Sequence, residues 1–103
     1  MSENDNELEV EIQFFSTLKN VTEKDSISIQ IENGTPVLDI LTDIQEKYFI
    51  PNDSRILDPS NETLETGIIC LINDADVKLT GGLRQKIDRE GKTITLISSL
   101  HGG

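Results

Sequence analysis

The 103-residue sequence has few cysteines, histidines and basic residues. It contains one Cys, one His and no Trp, so it can form no internal disulfide and has no cysteine cluster for zinc or iron–sulfur. Nine Lys and Arg stand against nineteen Asp and Glu, which gives a net charge of -10. This balance argues against direct binding to nucleic acid or to an anionic membrane. It favours a partner with a basic docking face.

Long apolar runs and a secretory signal are also missing. No stretch approaches the roughly 20 apolar residues that a membrane span needs. The first seven residues are acidic and lack the apolar core of a signal peptide. We therefore expect a cytoplasmic protein, with the nucleus as a second location at this small size. We interpret residues 1–7 as a disordered acidic tail.

The sequence lacks catalytic machinery of its own. It has no P-loop and no nucleophile–base pair. Cys70 lies inside an apolar run without a nearby His or basic residue to lower its pKa, which indicates a structural thiol. His101 has no neighbouring acid to orient it as a general base. These absences predict that the chain is not an enzyme and binds no cofactor.

Two alternating segments open the folded part of the chain. Leu8–Phe14 and Ser26–Ile31 place apolar residues at every second position, which is typical of half-buried strands. A polar, turn-prone connection joins them, so we predict an antiparallel hairpin. Thr35 suits a helix N-cap and Pro36 the first helical position. An apolar stripe at helical spacing then predicts one main helix as far as about Tyr48.

The second half of the chain is predicted to add strands to the same sheet. Residues 50–66 are rich in Pro, Asn, Asp and Ser, and we expect a loop that contains a turn or a short 3₁₀ piece. The apolar run Ile68–Ile72 predicts a strand buried on both faces or nearly so. After a turn, Val77–Leu79 is predicted as a short returning strand and Leu83–Asp88 as a helical turn. Thr93–Ile97 is predicted as the last strand.

This order of elements predicts an α+β domain, with a mixed sheet of about five strands covered by one main helix. The packing that suits it places the last strand beside the first and parallel to it, so that the last strand is central. We assign residues 8–98 to the domain and residues 99–103 to a flexible C-terminal arm.

The arm ends on Gly102 and Gly103. Glycine has no Cβ and accepts most backbone conformations, so such an end could pass through a narrow channel and present its carboxylate to a nucleotide held by another protein. The alternative is a frayed terminus without a function. The rest of the chain has to decide between them.

Two segments together, Leu71–Asp76 and Leu96–Gly103, resemble the ubiquitin-related modifiers, which are eukaryotic β-grasp proteins that also look like bacterial sulfur carriers. The likeness is strong over Ile68–Gly103, architectural over Leu8–Tyr48 and weak in the 50–66 loop. It implies a β-grasp, ubiquitin-like fold. It also implies that the Gly103 carboxylate is adenylated and then converted to a thiocarboxylate. The sulfur would go to the wobble uridine of certain transfer RNAs, and the same activated end would be joined to lysines of other proteins.

The resemblance also implies the partners. The first is a ubiquitin-activating-like enzyme with adenylation and rhodanese-type sulfur-transfer domains, and this enzyme uses ATP. The others are the tRNA thiolation enzyme complex and lysines of target proteins. Leu100, His101 and Gly102 would thread into the activating enzyme, whose channel either reads His101 or only tolerates it as a polar residue. Two alternatives stay open: a dedicated sulfur carrier for a small cofactor of the molybdopterin type, and a passive β-grasp interaction module.

Ile97 and Thr95, on the outward side of the last strand, are the candidate partner-binding surface. An apolar residue inside a polar rim is typical of small interfaces. The alternative is a partly buried isoleucine that a loop covers, because single exposed apolar residues are common.

Overall fold

The chain consists of strands connected by short helices, turns and loops. A computed structural model describes residues 6–99. The elements are β1 (Glu7–Phe15), α1 (Thr17–Thr22), β2 (Ser26–Glu32), β3 (Thr35–Pro36), α2 (Val37–Ile44), β4 (Ile68–Ile72), β5 (Ala75–Asp76), α3 (Val77–Thr80), β6 (Lys86–Ile87) and β7 (Thr93–Ser98). The main helix, α2, continues directly into a π-helical turn, Gln45–Phe49, and a 3₁₀ turn, Ile50–Asn52.

Five strands form one mixed sheet in the order β2-β1-β7-β4-β5. β7 runs parallel to β1 and antiparallel to β4, so the last strand lies in the centre of the sheet. The predicted fold class and the predicted place of the last strand are therefore confirmed. A separate ribbon pairs β3 with β6. Because β7 is hydrogen-bonded along both of its edges, the chain that follows it leaves from a firmly held strand.

The hairpin predicted from the first two strands is also confirmed, with Val10 of β1 opposite Ile29 of β2. Every second residue of β1 is buried, as the alternation requires, whereas the isoleucines of β2 are half-buried because β2 is an edge strand. β1 begins at Glu7, one residue inside the segment assigned to the acidic tail. The carbonyl of Asn6 accepts a hydrogen bond from the Asn33 N–H at 2.6 Å.

The connection between β1 and β2 holds a helix, α1, where the sequence predicted a turn. Ser16 has a φ of 60°, which turns the chain sharply before the helix starts. Leu18 and Thr22 are buried, and the Thr22 hydroxyl donates to the Leu18 carbonyl at 3.1 Å. The helix was missed because its six residues contain only two apolar ones, Leu18 and Val21, too few for a periodic signal.

The main helix covers the inner face of the sheet, as predicted. Its C-terminal turns carry Phe49 into the core, where the ring meets Phe14 of β1 with centroids 6.0 Å apart. The buried residues of the regular helical part are Val37, Ile40, Leu41 and Ile44.

No helix in the described part of the chain is long and apolar enough to cross a membrane.

The start of this helix differs from the prediction. Thr35 and Pro36 are extended and pair with β6, so the helix begins at Val37 with Pro36 at the N-cap position. The Thr35 hydroxyl donates to the Glu32 carbonyl at 2.6 Å and does not cap the helix. The Val37 N–H donates instead to the Gln85 carbonyl at 2.9 Å. A contact with a distant segment therefore takes the place of the local cap.

One buried side chain holds the loop after the main helix. The Gln45 Oε1 atom accepts hydrogen bonds from the N–H groups of Ile56 and Leu57, each at 2.8 Å. Its Nε2 atom donates to Asn61 Oδ1 at 3.2 Å. Leu57 also forms a single β-bridge with Leu64. The short 3₁₀ piece that we expected in this region is present at its start.

Two predictions for the segment after β4 are wrong. The returning strand consists of Ala75–Asp76 alone, and Val77–Thr80 is the helix α3 rather than a strand. The Asp76 side chain accepts from the Lys78 N–H at 2.9 Å and so caps α3. Further on, the predicted helical turn is absent, and Lys86–Ile87 forms β6 against β3.

Candidate functional site

The end of β7 is the base of the predicted arm. Ser98 still pairs with Ile68 of β4. The N–H and the hydroxyl of Ser99 both donate to the Gly67 carbonyl, at 2.7 and 3.0 Å. The chain is therefore attached to the domain through Ser99, which the sequence had assigned to the arm. Outside the described residues lie the four predicted site residues Leu100, His101, Gly102 and Gly103.

The candidate partner surface lies on the face of the sheet that the main helix does not cover. Ile97 stands there between its cross-strand neighbours, Phe15 of β1 and Ile69 of β4. Phe15 is 47% exposed, and the two isoleucines are half-buried. Leu71 of β4 is half-buried in the next row, opposite Thr95. We call Phe15, Ile69, Leu71 and Ile97 the outer apolar patch.

The two residues predicted for this surface differ in accessibility. Thr95 is only 8% exposed, because β1 and β4 flank it on both sides and place Gln13 and Leu71 next to it. It can therefore offer little contact area to a partner. Ile97 is half-buried and therefore more accessible, with Phe15 and Ile69 beside it in the sheet.

The sequence did not point to Phe15, Ile69 and Leu71 as surface residues. The run Ile68–Ile72 was expected to be buried on both faces or nearly so, whereas Ile69 and Leu71 on its outer face are half-buried. Phe15 offered a signal, since it is an apolar residue at a position where the alternation of β1 requires a polar one. That signal gains meaning only when the register places Phe15 beside Ile97.

The opposite half of the same face is acidic. Glu9 is exposed and Glu11 half-buried on β1, with the polar residues Gln30 and Ser28 opposite them on β2. The outer face is therefore acidic at the start of β1 and apolar at its end, where the outer apolar patch lies beside the last residues of β7. A partner that covers this face would match it with an apolar area and a basic area.

The single cysteine is not available for chemistry. Cys70 is fully buried on the inner face of β4. Burial, with a smaller contribution from the charge of Asp76, raises the pKa of its thiol to about 12. The thiol therefore stays protonated at neutral pH, in agreement with the structural role that the sequence indicated. Among residues 6–99, no three His, Cys, Asp or Glu side chains are grouped so that they could hold a metal ion.

The sheet is mixed, its central last strand leads to the C-terminal residues, and one main helix packs on its inner face. These features define a ubiquitin-like protein of the β-grasp class. Comparison with known families identifies it more closely. Residues 8–103 match the family model Urm1, ubiquitin related modifier, and the chain belongs to this family. As a member of a modifier family it is not an enzyme, as the sequence predicted.

A curated relative agrees with this assignment, and two solved structures share the fold. The chain is 31% identical over 77 residues to the ubiquitin-related modifier 1 homolog of Dictyostelium discoideum. The aligned residues cover 75% of this chain and 77% of the relative. The solution structure of Urm1 from Trypanosoma brucei matches with a TM-score of 0.76 and 24% identity over 100% of both chains. A chain of the BexX/CysO complex from Amycolatopsis orientalis matches with a TM-score of 0.66 and 26% identity, over 91% of this chain and 99% of that one.

Proposed function

We propose that this protein is a sulfur carrier whose Gly103 carboxylate is adenylated and converted to a thiocarboxylate. The sulfur then serves the thiolation of the wobble uridine of transfer RNA, and the same activated end is joined to lysines of target proteins. The observation that carries the proposal is the Leu-His-Gly-Gly end, which begins two residues after the last residue of a central strand, in a chain of the ubiquitin-related modifier family.

The chemistry needs an activated carboxylate. A free carboxylate resists a nucleophile because it is negatively charged and has no good leaving group. Reaction with ATP forms a mixed anhydride with AMP and releases pyrophosphate. The terminal sulfur of a persulfide on the activating enzyme then attacks the carbonyl carbon, and AMP leaves with the electron pair of the broken bond. A thiol attacks the inner sulfur of the resulting acyl disulfide, which releases the thiocarboxylate and leaves a new disulfide on the donor side. ATP is used by the activating enzyme, and the present chain contributes the carboxylate and the means of recognition.

Recognition is proposed to use the outer apolar patch together with the arm. The patch lies at the end of the sheet from which β7 leaves, so a partner that covers it also meets the chain that leads to Gly103. The proposed partner is a ubiquitin-activating-like enzyme with adenylation and rhodanese-type domains, which acts before the tRNA thiolation complex. The structural neighbour in the BexX/CysO complex supports the idea that a chain of this shape works while bound to a second protein.

The test is the intact mass of the protein after incubation with an activating enzyme, ATP and a sulfur donor. We expect the mass increase that results when one oxygen atom is replaced by sulfur. A variant that lacks Gly103 is the control and should show no change. If the full chain keeps its mass while a known carrier is thiolated under the same conditions, the proposal is wrong.

A further inference from the structure

A groove of about 690 Å³ lies next to the end of β7, between residues 62–68 and residues 77–84. Its apolar lining consists of Ile68 and Val77, which are almost fully buried, and of Leu64 and Leu83, which are half-buried. The volume lies within the range of about 300–1,000 Å³ that is typical of sites for small ligands. None of its lining residues belongs to the outer apolar patch.

The charges at the groove are separated by sign. Lys78 and Arg84 are exposed on the side of α3, and Glu62 and Glu65 lie on the opposite side. Neither of the two cations forms a salt bridge with another residue of the described range 6–99. The groove therefore offers an apolar floor with two cationic groups at one wall, which suits an occupant that combines an apolar side chain with a carboxylate.

The C-terminal residues of the same chain have this chemistry and begin at the groove. Ser99 is hydrogen-bonded to Gly67, which lines the groove. The four residues beyond Ser99 can span at most about 14 Å when extended. They carry one large apolar side chain, Leu100, two glycines that fit close to the groove wall, and the carboxylate of Gly103.

We propose that the groove is an intramolecular binding site for residues 100–103. Leu100 packs on the apolar lining, and the Gly103 carboxylate faces Lys78 and Arg84. Because the segment is tethered at Ser99, its local concentration at the groove is high, and contacts that would be weak between separate molecules suffice. Ordering four residues costs conformational entropy, and exposed charge pairs contribute little, so docked and released states exchange.

The consequence for regulation rests on the proposed function. A docked carboxylate is shielded from modification and from carboxypeptidases, and the activating enzyme must capture the released state. The docking itself does not depend on that function, because it needs only the groove and the arm.

The first test compares backbone amide NMR shifts of the full chain with those of a variant that ends at Ser99. The informative amides are those of Lys78, Gly82 and Leu83, which are distant in sequence from the truncation. We expect them to shift on truncation, and to shift in the same direction in Leu100→Ser, independently of protein concentration. Unchanged amides would overturn the proposal, and so would shifts that grow with concentration, because these would mean docking between two copies.

The second test measures how fast a carboxypeptidase releases Gly103. Lys78→Glu with Arg84→Glu removes the cations at the groove, and Lys24→Glu with Arg89→Glu makes the same charge change at exposed positions outside the groove lining. We expect release to be about threefold faster in the groove variant, because a moderately favoured docked state protects Gly103 by about that factor. Release should be unchanged in the control. Equal rates in both variants would overturn the proposal. Both tests use the protein alone, so their failure would leave the sulfur-carrier proposal intact, and an absent thiocarboxylate would not affect their outcome.

Discussion

Among single residues, Gln45 has a structural role that its position in the sequence does not announce. It lies within an apolar helical stripe, is 2% exposed, and uses both atoms of its amide. Backbone N–H groups that lose their partner in a buried site keep their full desolvation cost. The N–H groups of Ile56 and Leu57 both have this one side chain as their acceptor.

We expect Gln45→Leu to destabilise the protein by roughly 2–4 kcal/mol, since it leaves two buried N–H groups without an acceptor. The measurement is the free energy of unfolding in urea. Gln30→Leu, at an exposed position on β2, is the matched control and should stay within about 0.5 kcal/mol of the wild type. Equal midpoints for the two variants would show that the loop does not need the glutamine.

Gly102 is a second residue with a specific proposed role, which depends on its lack of a Cβ atom. The proposed threading of the arm requires an extended backbone in a channel too narrow for a Cβ atom. We expect Gly102→Ala to slow adenylation and Gly102→Val to slow it further, on the order of 10–100-fold, because the carboxylate is misplaced relative to ATP. Pyrophosphate exchange measures the rate, and thermal unfolding serves as the control for the fold. A Val variant that is adenylated at the normal rate would contradict the threading model.

The elements contribute a surface that none of them contains alone. β1, β7 and β4 each bring one residue to the row Phe15–Ile97–Ile69, and the parallel β1–β7 pairing aligns this row with the exit of the chain. Phe15 is the exposed aromatic residue of this row, and the two half-buried isoleucines extend the apolar area around it.

We expect Phe15→Ser to raise the KM of the activating enzyme for this protein about tenfold, with little change in kcat, because it removes a docking contact and leaves the reacting carboxylate unchanged. Ile97→Asp should act in the same direction. Leu79→Ser is the control: Leu79 is also apolar and is 83% exposed, but it lies on α3, outside the patch. If Leu79→Ser weakens activation as much as Phe15→Ser does, the outer apolar patch is not the docking surface.

The whole molecule presents one activated end for two proposed outcomes. We expect deletion of Gly103 to abolish wobble-uridine thiolation and lysine conjugates together, while thermal stability stays nearly unchanged because terminal residues form few contacts. Both readouts are measured in the same cells, by analysis of tRNA nucleosides and by immunoblotting of a tagged chain. Thiolation that persists at normal levels would exclude the sulfur-carrier role. Conjugates that persist alone would show that attachment uses another group.

Part of this protein could be predicted from the sequence because the relevant signal is local. The alternation in Leu8–Phe14 and Thr93–Ile97 requires strands with one buried face, and the stripe from Val37 to Tyr48 requires a helix above them. The order of these elements then favours a central last strand. Leu71–Asp76 and Leu96–Gly103, together with the predicted architecture, were enough to indicate the family. None of these inferences depends on knowing which distant residues meet.

Only the tertiary structure decided the state of the short segments and the composition of the surfaces. Thr35–Pro36 is extended because Lys86–Ile87 pairs with it across the fold, and a segment of two residues has no periodicity of its own. Ile69 and Leu71 are half-buried because only the other face of β4 belongs to the core, although the same apolar run would suit a strand buried on both sides. The outer apolar patch and the groove exist only because strand register and chain path bring distant residues together, and a short window of sequence does not contain that information.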